Sequence, residues 1–194
     1  MALTGLLLYL FLVGHLAGNL LLLKLDRGED FNAYSDLLTH HPLLIPVELV
    51  LLAIFVLHMY LAISVSRDNR RARPVGYRKT KSVGGRSWAS STMIYSGILI
   101  LVFVVLHMKT FKYGDRGAGT LYDLVMHTFR EPLYAGWYVF AMIVLGFHLW
   151  HAFHSALQSL GFQDRKKLRL AGIILCLILA GGFAFIPLWT FFTK

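Results

Sequence analysis

The chain has 194 residues, of which 57% are apolar and only 15% charged, with a formal net charge of +9 and nine histidines. An average soluble protein carries about 25% charged residues, so this composition excludes a soluble globular domain, and it equally excludes a disordered chain. A single cysteine excludes a disulfide scaffold.

Stretches without Asp, Glu, Lys or Arg run over 1–23, 49–66, 87–108, 132–163 and 170–193. A bilayer core about 30 Å thick needs roughly 20 helical residues. Backbone groups in lipid must bond internally, and continuous rather than alternating apolar runs argue against a β-barrel. The runs predict an all-α membrane protein, a single domain over 1–194. Its five transmembrane helices are expected at about 2–23, 46–66, 88–109, 134–160 and 170–191.

The first span carries His15 between Gly14 and Gly18. With no basic n-region and no small-residue cleavage site, it reads as a retained span rather than a signal peptide. The next segment mixes signs through Lys24, Asp26, Arg27, Glu29, Asp30 and Asp36. Within it, 31–38 is short and amphipathic and is expected in the interface plane. Glu48 opens the second span, which holds His58. Segment 67–86 is strongly basic, with Arg67, Arg70, Arg71, Arg73, Arg78, Lys79, Lys81 and Arg86 against Asp68. The third span starts at Trp88, Ser90 and Ser91 and continues through Gly97 to His107. Segment 109–131 again mixes signs, and its stretch 121–129 is amphipathic. The fourth span holds Gly146, His148, His151 and His154. Arg165, Lys166, Lys167 and Arg169 beside Asp164 precede the last span, where Cys176 reads as a small apolar residue.

The two basic segments together hold twelve basic residues and two acidic ones. The positive-inside rule places both in the cytoplasm, with the N-terminus inside and the C-terminus outside. They read as topology determinants and a docking surface. No nucleic-acid partner is expected, because no reader fold surrounds the basic clusters.

Ionisable side chains in membrane spans are costly and therefore point to function. A single intramembrane histidine is equally well explained by a helix–helix hydrogen bond. Four spans each carrying one are harder to explain that way. At about 1.5 Å per residue, His58 lies roughly 13 Å, His148 about 19 Å and His151 about 15 Å from the inner ends of their spans. His15 and His107 lie toward the outer side. Depth therefore pairs His15 with His107, and His58 with either His148 or His151. Two stacked bis-histidine sites suit two haems, since neutral imidazole is a good axial ligand for iron. Gly18 and Gly97 offer small surfaces for such a disc, although glycine also serves helix packing. Zinc is the weaker alternative, because no cysteine or carboxylate joins the histidines at depth.

Several segments, in order, extend this reading: Met1–Leu6 leading to Gly14-His15-Leu16-Ala17-Gly18-Asn19-Leu20; Phe31-Asn32-Ala33-Tyr34; Glu48 ten residues before His58-Met59-Tyr60-Leu61; Arg70-Arg71-Ala72-Arg73-Pro74; Ser90-Ser91-Thr92 to Ser96-Gly97 before Leu106-His107; and His148-Leu149-Trp150-His151 to Leu160-Gly161. With this order and spacing the chain resembles the single-chain, dihaem cytochrome b subunit of bacterial succinate:quinone oxidoreductases and fumarate reductases. The resemblance implies a five-helix bundle enclosing two b haems in the bacterial cytoplasmic (inner) membrane. It implies an electron path to a quinone, usually menaquinone, and flavoprotein and iron–sulfur subunits docked on the cytoplasmic face. It also implies that His58 and His148 hold the proximal haem and His15 and His107 the distal one, with His151 a neighbour to a propionate. Family members usually carry a short cytoplasmic segment before the stretch matching Met1, so either an abbreviated start or a further N-terminal portion not included in this sequence is expected.

A quinone site needs a polar or titratable group near the membrane edge. On the outer side His40, His41, Glu48, Glu29 and Asp30 are candidates. His40 and His41 read more readily as interfacial surface residues, and Glu48 equally as a helix N-terminal charge. On the inner side Arg86, Ser87, Trp88, Ser90 and Ser91 sit where a propionate or quinone head group could bind, or simply open a helix. His127 and His154 read as interfacial. The chain has no flavin site and no iron–sulfur cysteine set, so the expected role is electron transfer and anchoring within the enzyme, not dicarboxylate chemistry. The alternative is a transporter or scaffold whose histidines form a proton relay or helix contacts.

Overall fold

The computed structural model describes residues 1–72, 88–162 and 166–193, and in the helix that starts at Trp88 the side chains of 88–91 fall outside this set. Every regular element among the described residues is helical. In chain order they are α1 (Ala2–Asn19, extended by a 3₁₀ turn Leu20–Leu23), α2 (Glu29–Thr39), α3 (Leu44–Arg71), α4 (Trp88–His107, extended by a π turn Met108–Lys112), α5 (Leu121–Arg130), α6 (Pro132–Ser159) and α7 (Lys166–Phe192). Five of these are long and apolar enough to cross a membrane.

The helices outrun the charge-free stretches. The span expected at 46–66 belongs to a helix that continues to Arg71, and the one expected at 170–191 starts at Lys166. Helix propagation adds one hydrogen bond per residue, so a helix does not stop where lipid ends. Arg70 and Arg71 suit the negative end of α3. Lys166, Lys167 and Arg169 oppose the positive end of α7, so local helix electrostatics does not explain their position.

Helix α6 forms the centre, packing against α1, α4, α5 and α7. Pro132 occupies its first turn, where a missing N–H costs nothing. Lipid supplies no hydrophobic drive between helices, so close packing depends on small residues. Gly146 of α6 meets the Ala180 methyl of α7, Gly172 of α7 meets the Phe153 ring, and Gly182 of α7 meets Leu16 of α1. By contrast α3 lies at the edge, against α1 and α4, and has no fully buried residue.

Both amphipathic segments are helices that rest on the bundle. Helix α2 buries Phe31 and Ser35, and α5 buries Val125, Thr128 and Phe129. Thr120 and Asp123 form a reciprocal capping box at the start of α5. Gly28, at φ 84°, starts α2 directly against the Tyr122 ring, in a conformation few side chains tolerate. The Asn32 side-chain carbonyl accepts the Tyr122 backbone N–H at 3.1 Å. Tyr34 covers Gly18 of α1 so closely that a Cβ there would stand 2.5 Å from the ring.

Candidate functional site

His15 projects from α1 and His107 from the last residue of α4. Their ring centres are 5.8 Å apart and their planes perpendicular. Phe11, one turn earlier, stacks on His15 at 5.3 Å, and Phe183 of α7 flanks it at 5.7 Å. Phe103 and Phe111 flank His107 at 5.6 and 5.5 Å. Phe111 lies in the π turn that follows His107; such turns recur at functional sites. Tyr138 of α6 brings its hydroxyl to 3.4 Å from His107 Nδ1 and packs on Phe129 of α5. The Asn19 side chain donates to the His15 carbonyl at 2.7 Å, and its nitrogen stands 3.4 Å from both His15 ring nitrogens.

A second group involves His58 of α3 and His148 of α6. Thr4 of α1 sets its hydroxyl 3.1 Å from His58 Nδ1. Ser96 of α4 sets its hydroxyl 3.0 Å from His148 Nδ1. Gly97 faces His148 itself, with a Cβ position 3.7 Å from its Cε1. His151 lies one turn further along α6 and is half-buried. His15, His58, His107 and His148 are all half-buried.

The remaining candidates are spread out. Glu48 does not cap α3; it lies in the second turn and pairs with Lys112 from the π turn. His40 Nδ1 donates to the Asp36 carbonyl at 2.8 Å, and exposed His41 accepts the Leu43 N–H at 3.2 Å. Glu29 is exposed in the first turn of α2, and Asp30 beside it pairs with Lys24. His154 is exposed and bonds Gln158, and His127 is exposed on α5. Trp88, Ser90 and Ser91 stand in the first turn of α4, with side chains outside the described set; Arg86 and Ser87 are outside the described residues altogether. Gly18 has its open face taken by Tyr34. Sequence reasoning did not single out Thr4, Ser96, Tyr138 or Lys112. Hydroxyls and a lysine within or beside apolar spans were a visible signal, but their partners come from other helices. Trp137 of α6 was also passed over; its buried indole N–H has no partner among the described residues.

Among the described residues no three His, Cys, Asp or Glu side chains gather as a metal-binding cluster. His15 and His107 occur instead as a facing pair. Comparison with known family models, curated proteins and solved structures finds no match for this chain.

Proposed function

We propose that this chain is the dihaem membrane-anchor subunit of a succinate:quinone oxidoreductase or fumarate reductase, set between an iron–sulfur subunit and a quinone. The observation that carries the haem reading is the His15–His107 pair. Bonds of about 2 Å from metal to imidazole nitrogen put the ring centres of two opposed ligands roughly 6 Å apart. The observed separation is 5.8 Å. Two protein ligands suit a macrocycle that supplies the other donors, whereas a bare ion takes three or four from the protein.

In this reading His15 and His107 hold one b haem, and His58 and His148 the other. Bound haem supplies reversible one-electron chemistry. The chain's own residues orient the ligands and exclude water. Phe11, Phe103, Phe111 and Phe183 wall the first pair with apolar rings, and α2 and α5 pack on that end of the bundle. Basic residues at the end of α3 and the start of α7 orient the bundle with the N-terminus in the cytoplasm of a bacterial inner membrane. They also offer the surface on which flavoprotein and iron–sulfur subunits dock. Menaquinone or another quinone meets the outer side, where Glu48, Glu29, His40 and His41 supply titratable groups.

The second reading, a scaffold or proton-relay transporter, draws on the hydroxyl–imidazole contacts between helices. A reduced visible spectrum separates the two. The purified, dithionite-treated protein is expected to show a b-type band worth two haems per chain. A colourless protein sinks the haem reading. Co-purifying flavin and iron–sulfur subunits test the assignment to this enzyme class.

A further inference from the structure

The His58 and His148 rings are seated in the same way by two unrelated helices. Thr4-Gly5 of α1 faces His58, and Ser96-Gly97 of α4 faces His148. In each dipeptide the hydroxyl meets Nδ1, at 3.1 and 3.0 Å. In each the glycine faces Cε1, with a Cβ position only 3.3 and 3.7 Å away. A Cβ at Gly5 would require the His58 ring to give by a few tenths of an ångström.

The hydroxyl protons decide the tautomer. A hydroxyl carries one proton and can accept through its lone pairs. Thr4 donates to the Met1 carbonyl at 2.9 Å, and Ser96 donates to the Met93 carbonyl at 3.0 Å. A carbonyl can only accept, so a hydroxyl that gives its proton there meets its imidazole as an acceptor, and the proton between them is then the one on Nδ1. A neutral imidazole has one N–H, which leaves Nε2 with its lone pair.

We infer that Thr4-Gly5 and Ser96-Gly97 are imidazole seats that lock His58 and His148 as Nδ1–H tautomers and present Nε2 as the metal-binding nitrogen. Among the described residues the outer pair has no such lock. Tyr138 approaches His107 at 3.4 Å with no carbonyl shown to take its proton, and the Asn19 nitrogen is equidistant from both nitrogens of His15. Thr4 and Ser96 are thus positioning residues for one pair only. A partner on the far ring nitrogen fixes ring orientation and raises ligand basicity. The tautomer stands on the hydrogen bonds alone; its service to iron rests on the haem reading above.

The test is a potentiometric titration of the full-length protein in its complex, comparing wild type with Thr4→Val, Ser96→Ala and the conservative Thr4→Ser. Removing an acceptor from Nδ1–H weakens electron donation to ferric iron, so the inner haem's potential should rise. The rise should stay within about 59 mV, which corresponds to a tenfold change in relative affinity. The outer haem should not move, both haems should remain, and Thr4→Ser should restore the wild-type value. Two haems with unchanged potentials in both Thr4→Val and Ser96→Ala would overturn the inference while leaving the haem reading intact. A colourless protein overturns the haem reading instead, and ¹⁵N spectra of its histidine-labelled full chain then decide the tautomer. His58 and His148 protonated at Nδ1 support the seats; protonation at Nε2 overturns them.

Discussion

The perpendicular His15 and His107 rings make the iron they would share distinctive. If this pair holds a haem, each imidazole would overlap with one iron d orbital and perpendicular rings would treat two such orbitals alike, so the oxidised protein should give a strongly anisotropic low-spin paramagnetic resonance signal. A rhombic signal from this haem would mean that the rings turn parallel on binding.

Pairing is tested by deletion. If the chain holds two haems in the proposed pairing, His15→Ala or His107→Ala should each remove one and spare the other, halving the reduced b-band per chain. His58→Ala or His148→Ala should remove the other haem. Retention of both haems in any of these variants shows that the pairing is wrong.

Gly18→Ala sets two effects against each other. Helix propensity favours alanine by about 1 kcal/mol, while overpacking costs about 1–3 kcal/mol. The added Cβ would stand 2.5 Å from Tyr34, so overpacking should win. Thermal unfolding in detergent should show a net loss of about 1 kcal/mol, set by the cost of displacing Tyr34. The double variant with Tyr34→Ala should not add the two single losses.

Glu48 pairs with Lys112 across α3 and the π turn, and both side chains are partly exposed. Such pairs contribute about 0–1 kcal/mol, so Glu48→Gln should leave melting and haem content nearly unchanged. If Glu48 carries protons to an outer quinone, quinone turnover should fall. Unchanged turnover would assign Glu48 to the ion pair alone.

Asp123 gives a pH prediction outside the membrane spans. The Thr120 backbone N–H, and then its hydroxyl, hold the Asp123 carboxyl below the usual carboxylate range. The folded pKa is lowered, so the cap's contribution is complete above the unfolded value of about 3.9 and is lost as pH falls through the folded value. Carbon-detected NMR titration should find the Asp123 midpoint below about 3.9. Thr120→Ala should move it part of the way back, because the backbone donor remains.

The sequence by itself determined the number of long apolar helices, their order, and which of them carry histidines. Those properties depend on local composition, since lipid obliges each apolar run to satisfy its own backbone. It also marked 31–38 and 121–129 as amphipathic, but not that α2 and α5 join through Asn32 and Tyr122 or that Tyr34 of α2 covers Gly18. The tertiary structure alone decided how each imidazole is held. Thr4 and His58 are 54 positions apart, and Ser96 and His148 are 52 apart, so no local pattern encodes their meeting. Depth along a span is legible from residue counting, because helical rise is constant. The direction a ring nitrogen faces depends on the rotation and approach of neighbouring helices, and those are settled only when small residues such as Gly5 and Gly97 let the helices pack closely.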